Sequence, residues 1–111
     1  MKRIYFLGEC MVELRSIDES TMHQSFAGDV YNSAVYLKRC FADVATSIIS
    51  VVGQDDLSNK MITQFHQENI DTKFVFRHVS RAPGMYLIET DETGERSFTY
   101  WRNESAAKKV V

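Results

Sequence analysis

The chain has 111 residues, 44% of them hydrophobic and 25% charged, with 13 basic against 15 acidic residues and a net charge of -2. That length holds one domain or less, and the balance of apolar and charged residues argues for a packed core and against disorder. A charge this close to zero gives neither nucleic acid nor an anionic membrane a footprint, and no apolar run approaches the ~20 residues of a membrane span.

The elements can be taken in order. Met1-Lys2-Arg3 starts like a signal peptide, but the apolar run Ile4–Leu7 is broken at Gly8-Glu9, too soon for a secretory leader. It reads as a first strand covered on both faces. Met11–Leu14 is a second extended piece, and Arg15–Thr21 a polar loop. Met22–Phe26 is a return strand. Gly28-Asp29 then opens a helix whose stripe is Val30, Ala34, Leu37 and Phe41, with Asp29 placed to cap it.

Ser47–Val52 is β-branched, apolar and ended by Gly53, a second buried strand expected to lie parallel to the first. Asp56 is placed to cap a second helix carrying Leu57, Met61, Phe65 and Asn69, with Ile62 widening its apolar face. Lys73–Val79 is a third strand, and Arg81–Gly84 a turn around the single proline. Met85–Thr90 and Glu95–Arg102 are extended segments. A three-residue loop, Glu92-Thr93-Gly94, joins them if Gly94 takes the left-handed position. That register sets Thr90 opposite Arg96, Ile88 opposite Phe98 and Tyr86 opposite Tyr100. Tyr86, Tyr100 and Arg102 then share one face. The class is α/β, a body of parallel strands and flanking helices beside a separate β flap.

Cys10 and Cys40 make no disulfide framework and read as reduced thiols, with the cytoplasm as the expected compartment. The five glycines, at 8, 28, 53, 84 and 94, compose no phosphate-binding loop. His23, His66 and His78 lack metal-ligand spacing, so no metal site is expected. Catalytic residues are not evident either. What the pattern leaves is a cluster of polar groups at strand ends. Gly28, Asp29 and Asn32 lie where a strand passes into a helix, a common ligand position in open α/β sheets. Tyr86, Tyr100 and Arg102 add two phenols and a guanidinium, a set suited to a small polyhydroxy acid because Arg forks two hydrogen bonds onto a carboxylate.

The order Gly8-Glu9, Phe26-Ala27-Gly28-Asp29-Val30-Tyr31-Asn32 and Val52-Gly53-Gln54-Asp55 resembles the opening of the ribokinase-like (PfkB-type) carbohydrate kinases. Within that family, Pro83–Thr90, Thr93–Arg96 and Tyr100–Asn103 are similar to the kinases of 2-keto-3-deoxygluconate. The resemblance implies a Rossmann-like ribokinase fold with a small β-sheet lid built near 10–14, 22–26 and 84–102. It implies a parent enzyme that uses ATP and Mg²⁺ to phosphorylate a sugar hydroxyl, giving 2-keto-3-deoxy-6-phosphogluconate. Gly28, Asp29 and Asn32 would contact the sugar's hydroxyls, Tyr86 and Tyr100 would bond it from the lid, and Arg102 would pair with its carboxylate. Glu13 falls where many relatives carry a lid carboxylate, and Asp55 belongs to a structural Gly-x-Asp turn.

Many relatives have Gly-Gly where this chain has Ala27-Gly28. The family's late Gly-Ala-Gly-Asp segment, which supplies the anion hole and the catalytic aspartate, has no counterpart in these 111 residues. The chain is therefore expected to be the substrate-holding, amino-terminal portion, inactive by itself and binding no nucleotide. A homodimer or higher oligomer, formed through the lid, is expected as well. Two other readings stay open, a kinase portion for a neutral sugar such as fructose or ribose and a short non-catalytic interaction module.

Overall fold

Two sheets organise the chain in its computed structural model, which describes residues 2–109. The first has three parallel strands, β1 (Arg3–Leu7), β4 (Ala45–Val52) and β5 (Val75–Arg77), in the order β1-β4-β5. The second has four, β2 (Met11–Ser16), β3 (Met22–Ala27), β6 (Met85–Thr90) and β7 (Arg96–Trp101), in the order β3-β2-β6-β7. Helices α1 (Asp29–Cys40) and α2 (Asp56–Gln67) belong to the first sheet, and a short 3-10 helix covers Ala106–Lys109. The expected α/β body with a separate lid sheet is the architecture observed.

The core forms where β4 meets both helices. Ile48 and Val52 of β4 pack with Ala34 and Tyr31 of α1 and with Met61 and Phe65 of α2. The Tyr31 and Phe65 rings lie 5.4 Å apart and join the two helices. Burial pushes the Tyr31 hydroxyl up to about 12, its largest cause being lost solvation. The inward face of α1 holds Ala34 and Val30 from the stripe read in sequence, together with Tyr31 and Val35, while Phe41 stands outside the helix, more than half exposed. Among the described residues no helix is long and apolar enough to cross a membrane.

Both helix starts sit one residue earlier than the sequence rule placed them. Asp29 does not cap α1: Gly28 holds the cap position at φ 125°, and no side chain bonds the first turn. Only glycine enters that region without strain, so the backbone itself turns β3 into α1. Asp29 then stands in the first helical turn, where its charge faces the positive end of the helix dipole. In α2 the cap is Asp55, not Asp56. Its carboxylate accepts from the Ser58 N–H at 3.0 Å and the Ser58 hydroxyl at 2.8 Å, while that hydroxyl accepts from the Gly53 N–H at 2.8 Å. A structural role for Asp55 follows directly. The third strand is shorter than Lys73–Val79, because His78 turns the chain by accepting the Ser80 and Arg81 N–H groups on its Nδ1.

The lid is closed by the hairpin read from the sequence. Thr90 pairs with Arg96, Ile88 with Phe98 and Tyr86 with Tyr100, and Asp91 and Glu95 flank a three-residue loop. Gly94 takes φ 84°, the left-handed position the loop requires. Asp91 holds the turn by accepting from the Thr93 hydroxyl and from the Glu95 and Thr93 N–H groups, contacts that keep its carboxyl below the usual carboxylate range.

Candidate functional site

The lid and the body meet at a cleft of about 320 Å³. From the body come Gly28, Asp29, Val30 and Asn32 at the start of α1, with Glu9 from the turn after β1; from the lid come Met11 at the start of β2 and Tyr86, Phe98, Tyr100 and Arg102. All six residues singled out in sequence thus line one cavity. Their convergence has two causes. Gly28 turns the chain sharply, which exposes the first turn of α1 at the sheet edge. The three-residue hairpin fixes the register, which puts Tyr86, Tyr100 and Arg102 on one face.

The lid contributes a row that crosses all four of its strands. Ser25 pairs with Glu13, Glu13 with Tyr86 and Tyr86 with Tyr100. Partners in register project on the same face and their side chains touch. The Tyr86 hydroxyl donates to Glu13 Oε1 at 2.6 Å, and the Ser25 hydroxyl donates to Glu13 Oε2 at 3.1 Å. Arg15 adds an ion pair to the same carboxylate at 3.4 Å. Burial first, and then the adjoining Glu13 carboxylate, hold the Tyr86 phenol well above its ordinary range. With its proton committed to Glu13, Tyr86 offers oxygen lone pairs to anything else it meets.

Glu13 itself is not among the cleft-lining residues. Its position is that of a brace behind Tyr86. Arg102 is exposed, and its guanidinium lies 4.9 Å from the centre of the Tyr100 ring, an attraction that steadies the side chain while leaving the fork free. It makes no ion pair among the described residues. The rings of Tyr86, Phe98 and Tyr100 stand 5.6–6.4 Å from one another and form a continuous aromatic wall. A second hollow, of about 760 Å³, lies between Ser80–Pro83 and Trp101–Ser105 and shares Tyr100 and Arg102 with the cleft.

Chemically, the cleft combines a guanidinium fork, two phenols, an amide and two carboxylates around an aromatic wall. That set can hydrogen-bond several hydroxyls and pair with one carboxylate. Four lining residues escaped the sequence reading of the site, Glu9, Met11, Val30 and Phe98. Phe98 follows from the hairpin register, since it alternates onto the face of Tyr100. Glu9 had no local signal, because its place in the cleft depends on how β1 leads into β2.

The family profile described as pfkB family carbohydrate kinase matches residues 1–111. The chain belongs to the pfkB family. It is 42% identical over 113 residues to a 2-dehydro-3-deoxygluconokinase of Haemophilus influenzae, a match covering all of this chain and 36% of that protein. It is 44% identical over 109 residues to the 2-dehydro-3-deoxygluconokinase of Escherichia coli K12, covering 96% of this chain and 35% of the relative. The chain spans about a third of the length of these curated relatives.

Among solved pfkB-like folds, a 2-dehydro-3-deoxygluconokinase from Thermotoga maritima superposes with a TM-score of 0.86 at 16% identity, covering 98% of this chain and 35% of that one. A fructokinase from Xylella fastidiosa with bound ATP gives 0.84 at 22% identity, covering 95% and 32%. These two likenesses show the shared fold. The relatives at 42% and 44% identity are both named 2-dehydro-3-deoxygluconokinase.

Proposed function

We propose that this chain is the sugar-holding part of a kinase for 2-keto-3-deoxygluconate, the compound that the relatives' names give as 2-dehydro-3-deoxygluconate. One observation carries the reading: the ribbon's two phenols and guanidinium face the loop of Gly28, Asp29 and Asn32 across a single cleft. In this reading Arg102 receives the substrate carboxylate as a two-bond fork. Tyr86, with its proton held by Glu13, accepts from a sugar hydroxyl, and Tyr100 bonds a second. Asp29 and Asn32 bond hydroxyls from the body side, and the close backbone at Gly28 lets the sugar approach the start of α1.

The parent reaction would be phosphoryl transfer from ATP, assisted by Mg²⁺, to a sugar hydroxyl. The residues described do not fit a nucleotide: the helix start beside the cleft carries Asp29, whose carboxylate opposes phosphate, and no glycine-rich loop accompanies it. What these residues supply is orientation, which is a large part of catalysis in a transfer reaction with little covalent work for the protein. Cytoplasmic residence belongs to the same reading. So does pairing of chains through apolar surface, since Met22, Phe98 and Trp101 of the lid and Ile4, Tyr5 and Leu7 of β1 are all exposed. Light scattering at tens of micromolar, a concentration chosen on the order of weak association, should find more than a monomer.

Calorimetric titration of the chain with 2-keto-3-deoxygluconate and with fructose tests the assignment. The acid should bind more tightly, and Arg102→Ala should weaken it by roughly 10- to 100-fold, the size of a lost charge-assisted hydrogen-bond pair. Fructose binding should be unaffected. Equal affinity for the acid before and after the substitution would overturn the carboxylate role and favour a neutral sugar.

A further inference from the structure

Glu9 stands in the cleft with a carboxylate oxygen that nothing satisfies. Its Oε2 is wholly buried and has no hydrogen-bond partner among the described residues. The seat is tight. A methyl group built at Gly84 would lie 2.5 Å from Glu9 Oε2 and 2.9 Å from Arg102 Cβ, so the carboxylate reaches past the one position where no side chain intervenes. From the other side, the Glu9 carbonyl oxygen would lie 3.1 Å from a methyl group built at Gly28. Glu9 is thereby wedged between the lid turn and the α1 start, at the junction of the two halves of the cleft.

Buried carboxylate oxygens are costly without a donor, and native structures leave few of them unpaired. Arg102, whose Cβ lies beside the same Gly84 position, has its guanidinium over the Tyr100 ring and makes no ion pair with Glu9. The cleft's remaining polar groups do not supply the missing proton. Tyr86 gives its own to Glu13, and Asp29 is an acceptor. Tyr100 and Asn32, the other donors lining the cleft, make no bond to it either, so among the described residues the donor is missing, and Glu9 lines the cleft where a bound ligand would bring one.

We propose that Glu9 is a substrate-specifying residue, the acceptor for one hydroxyl of the sugar. The proposal rests on the sugar-acid reading above and deepens it. A carboxylate at Glu9 attracts a hydroxyl and repels the substrate's own carboxylate, whereas Arg102 does the reverse. The cleft therefore holds one group that takes O–H and one that takes an anion, and a hydroxy acid that engages both is held in one orientation. A neutral sugar would satisfy Glu9 and leave Arg102 unused.

The experiment titrates the 111-residue chain and its Glu9→Ala and Glu9→Gln variants with 2-keto-3-deoxygluconate and with analogues each lacking one hydroxyl, alongside thermal melts. Glu9→Ala should bind the parent acid about tenfold more weakly, as for one hydrogen bond to a charged group. One analogue should bind the wild type and Glu9→Ala equally, which identifies the hydroxyl concerned. Glu9→Gln keeps the shape and an acceptor oxygen, so its loss should be smaller, and it decides the matter should Glu9→Ala fail to fold. The melting temperature should not fall, because the substitution removes an unpartnered carboxylate. Parent affinity unchanged in both variants would overturn the proposal and leave the sugar-acid reading standing. So would an equal loss for every analogue together with a lowered melting temperature, which marks a merely structural group. A wild type that binds the acid no better than fructose would overturn both readings.

Discussion

In the α/β body, Ile48, Met61 and Phe65 have no exposed surface, while in the lid every residue of β7 is exposed and Phe98, Tyr100 and Trp101 each keep about half of theirs (49%, 51% and 52%). Both regions are rich in apolar and aromatic groups, yet they use them differently. In the body the side chains of β4 are covered by two helices, and their removal from water is what stabilises it. Strand β1, expected to be covered on both faces, instead leaves Ile4, Tyr5 and Leu7 exposed at the edge of its sheet. The lid's rings are positioned by strand register and touch mainly one another, so their free faces remain for something else to cover. Folding free energy and binding free energy are thus drawn from separate residues in this chain, and substitutions should separate them.

The largest effect is expected at the body's centre. Phe65→Ala should cost about 3–5 kcal/mol, the usual range for a buried phenylalanine, and so consume much of a small domain's stability. Phe98→Ala, in the half-exposed lid wall, should cost under about 1 kcal/mol in the same denaturant titration while weakening ligand binding. Comparable losses at the two positions would break the distinction between the regions.

Gly28→Ala should fall between them. The position sits at φ 125° and a methyl there would approach the Glu9 carbonyl oxygen to 3.1 Å, so a cost of about 1–3 kcal/mol is expected, from strain at the joint between the regions. Calorimetry should show reduced ligand affinity along with the lowered melting temperature. An undisturbed cleft with wild-type stability would mean the glycine is dispensable.

The smallest expected effect is a pH dependence. Tyr31 in the body and Tyr86 in the lid both hold their protons more firmly when folded, chiefly through burial. Unfolded phenols release theirs near pH 10. Between that point and the folded values the native state binds more protons, so the contribution of these phenols is level below about pH 9 and declines as pH rises through 10 toward 12. Tyr86→Phe should flatten that decline in part by removing the lid's share, with Tyr31 and the thiol of Cys10, which burial also pushes up, supplying the rest. An unchanged slope would show that the lid does not unfold with the body.

The hairpin was readable because its information is local. Gly94 at the turn and the alternation from Tyr86 to Arg102 settle the register within seventeen residues, and with it the face that Tyr86, Tyr100 and Arg102 share. The brace of Tyr86 on Glu13 was not readable, since the two are 73 positions apart and meet only through the parallel pairing of β2 with β6. Glu9 was readable in the sequence only within the Gly8-Glu9 pair, and its place in the cleft is set by how β1 leads into β2. The helix starts were misplaced by one residue because an acidic residue suits both the cap and the first turn. At Gly28 the backbone angle decides between them, and at Asp55 the contact with Ser58 does.

The central claim is that lid and body close on one small acid, and nuclear magnetic resonance of the isotope-labelled chain tests it most directly. On addition of 2-keto-3-deoxygluconate, the backbone amides of Gly28, Asp29, Asn32, Tyr86, Tyr100 and Arg102 should shift together along one saturable curve, while those of Met61 and Phe65 stay in place. Shifts confined to one side of the cleft, or scattered without saturation, would contradict it.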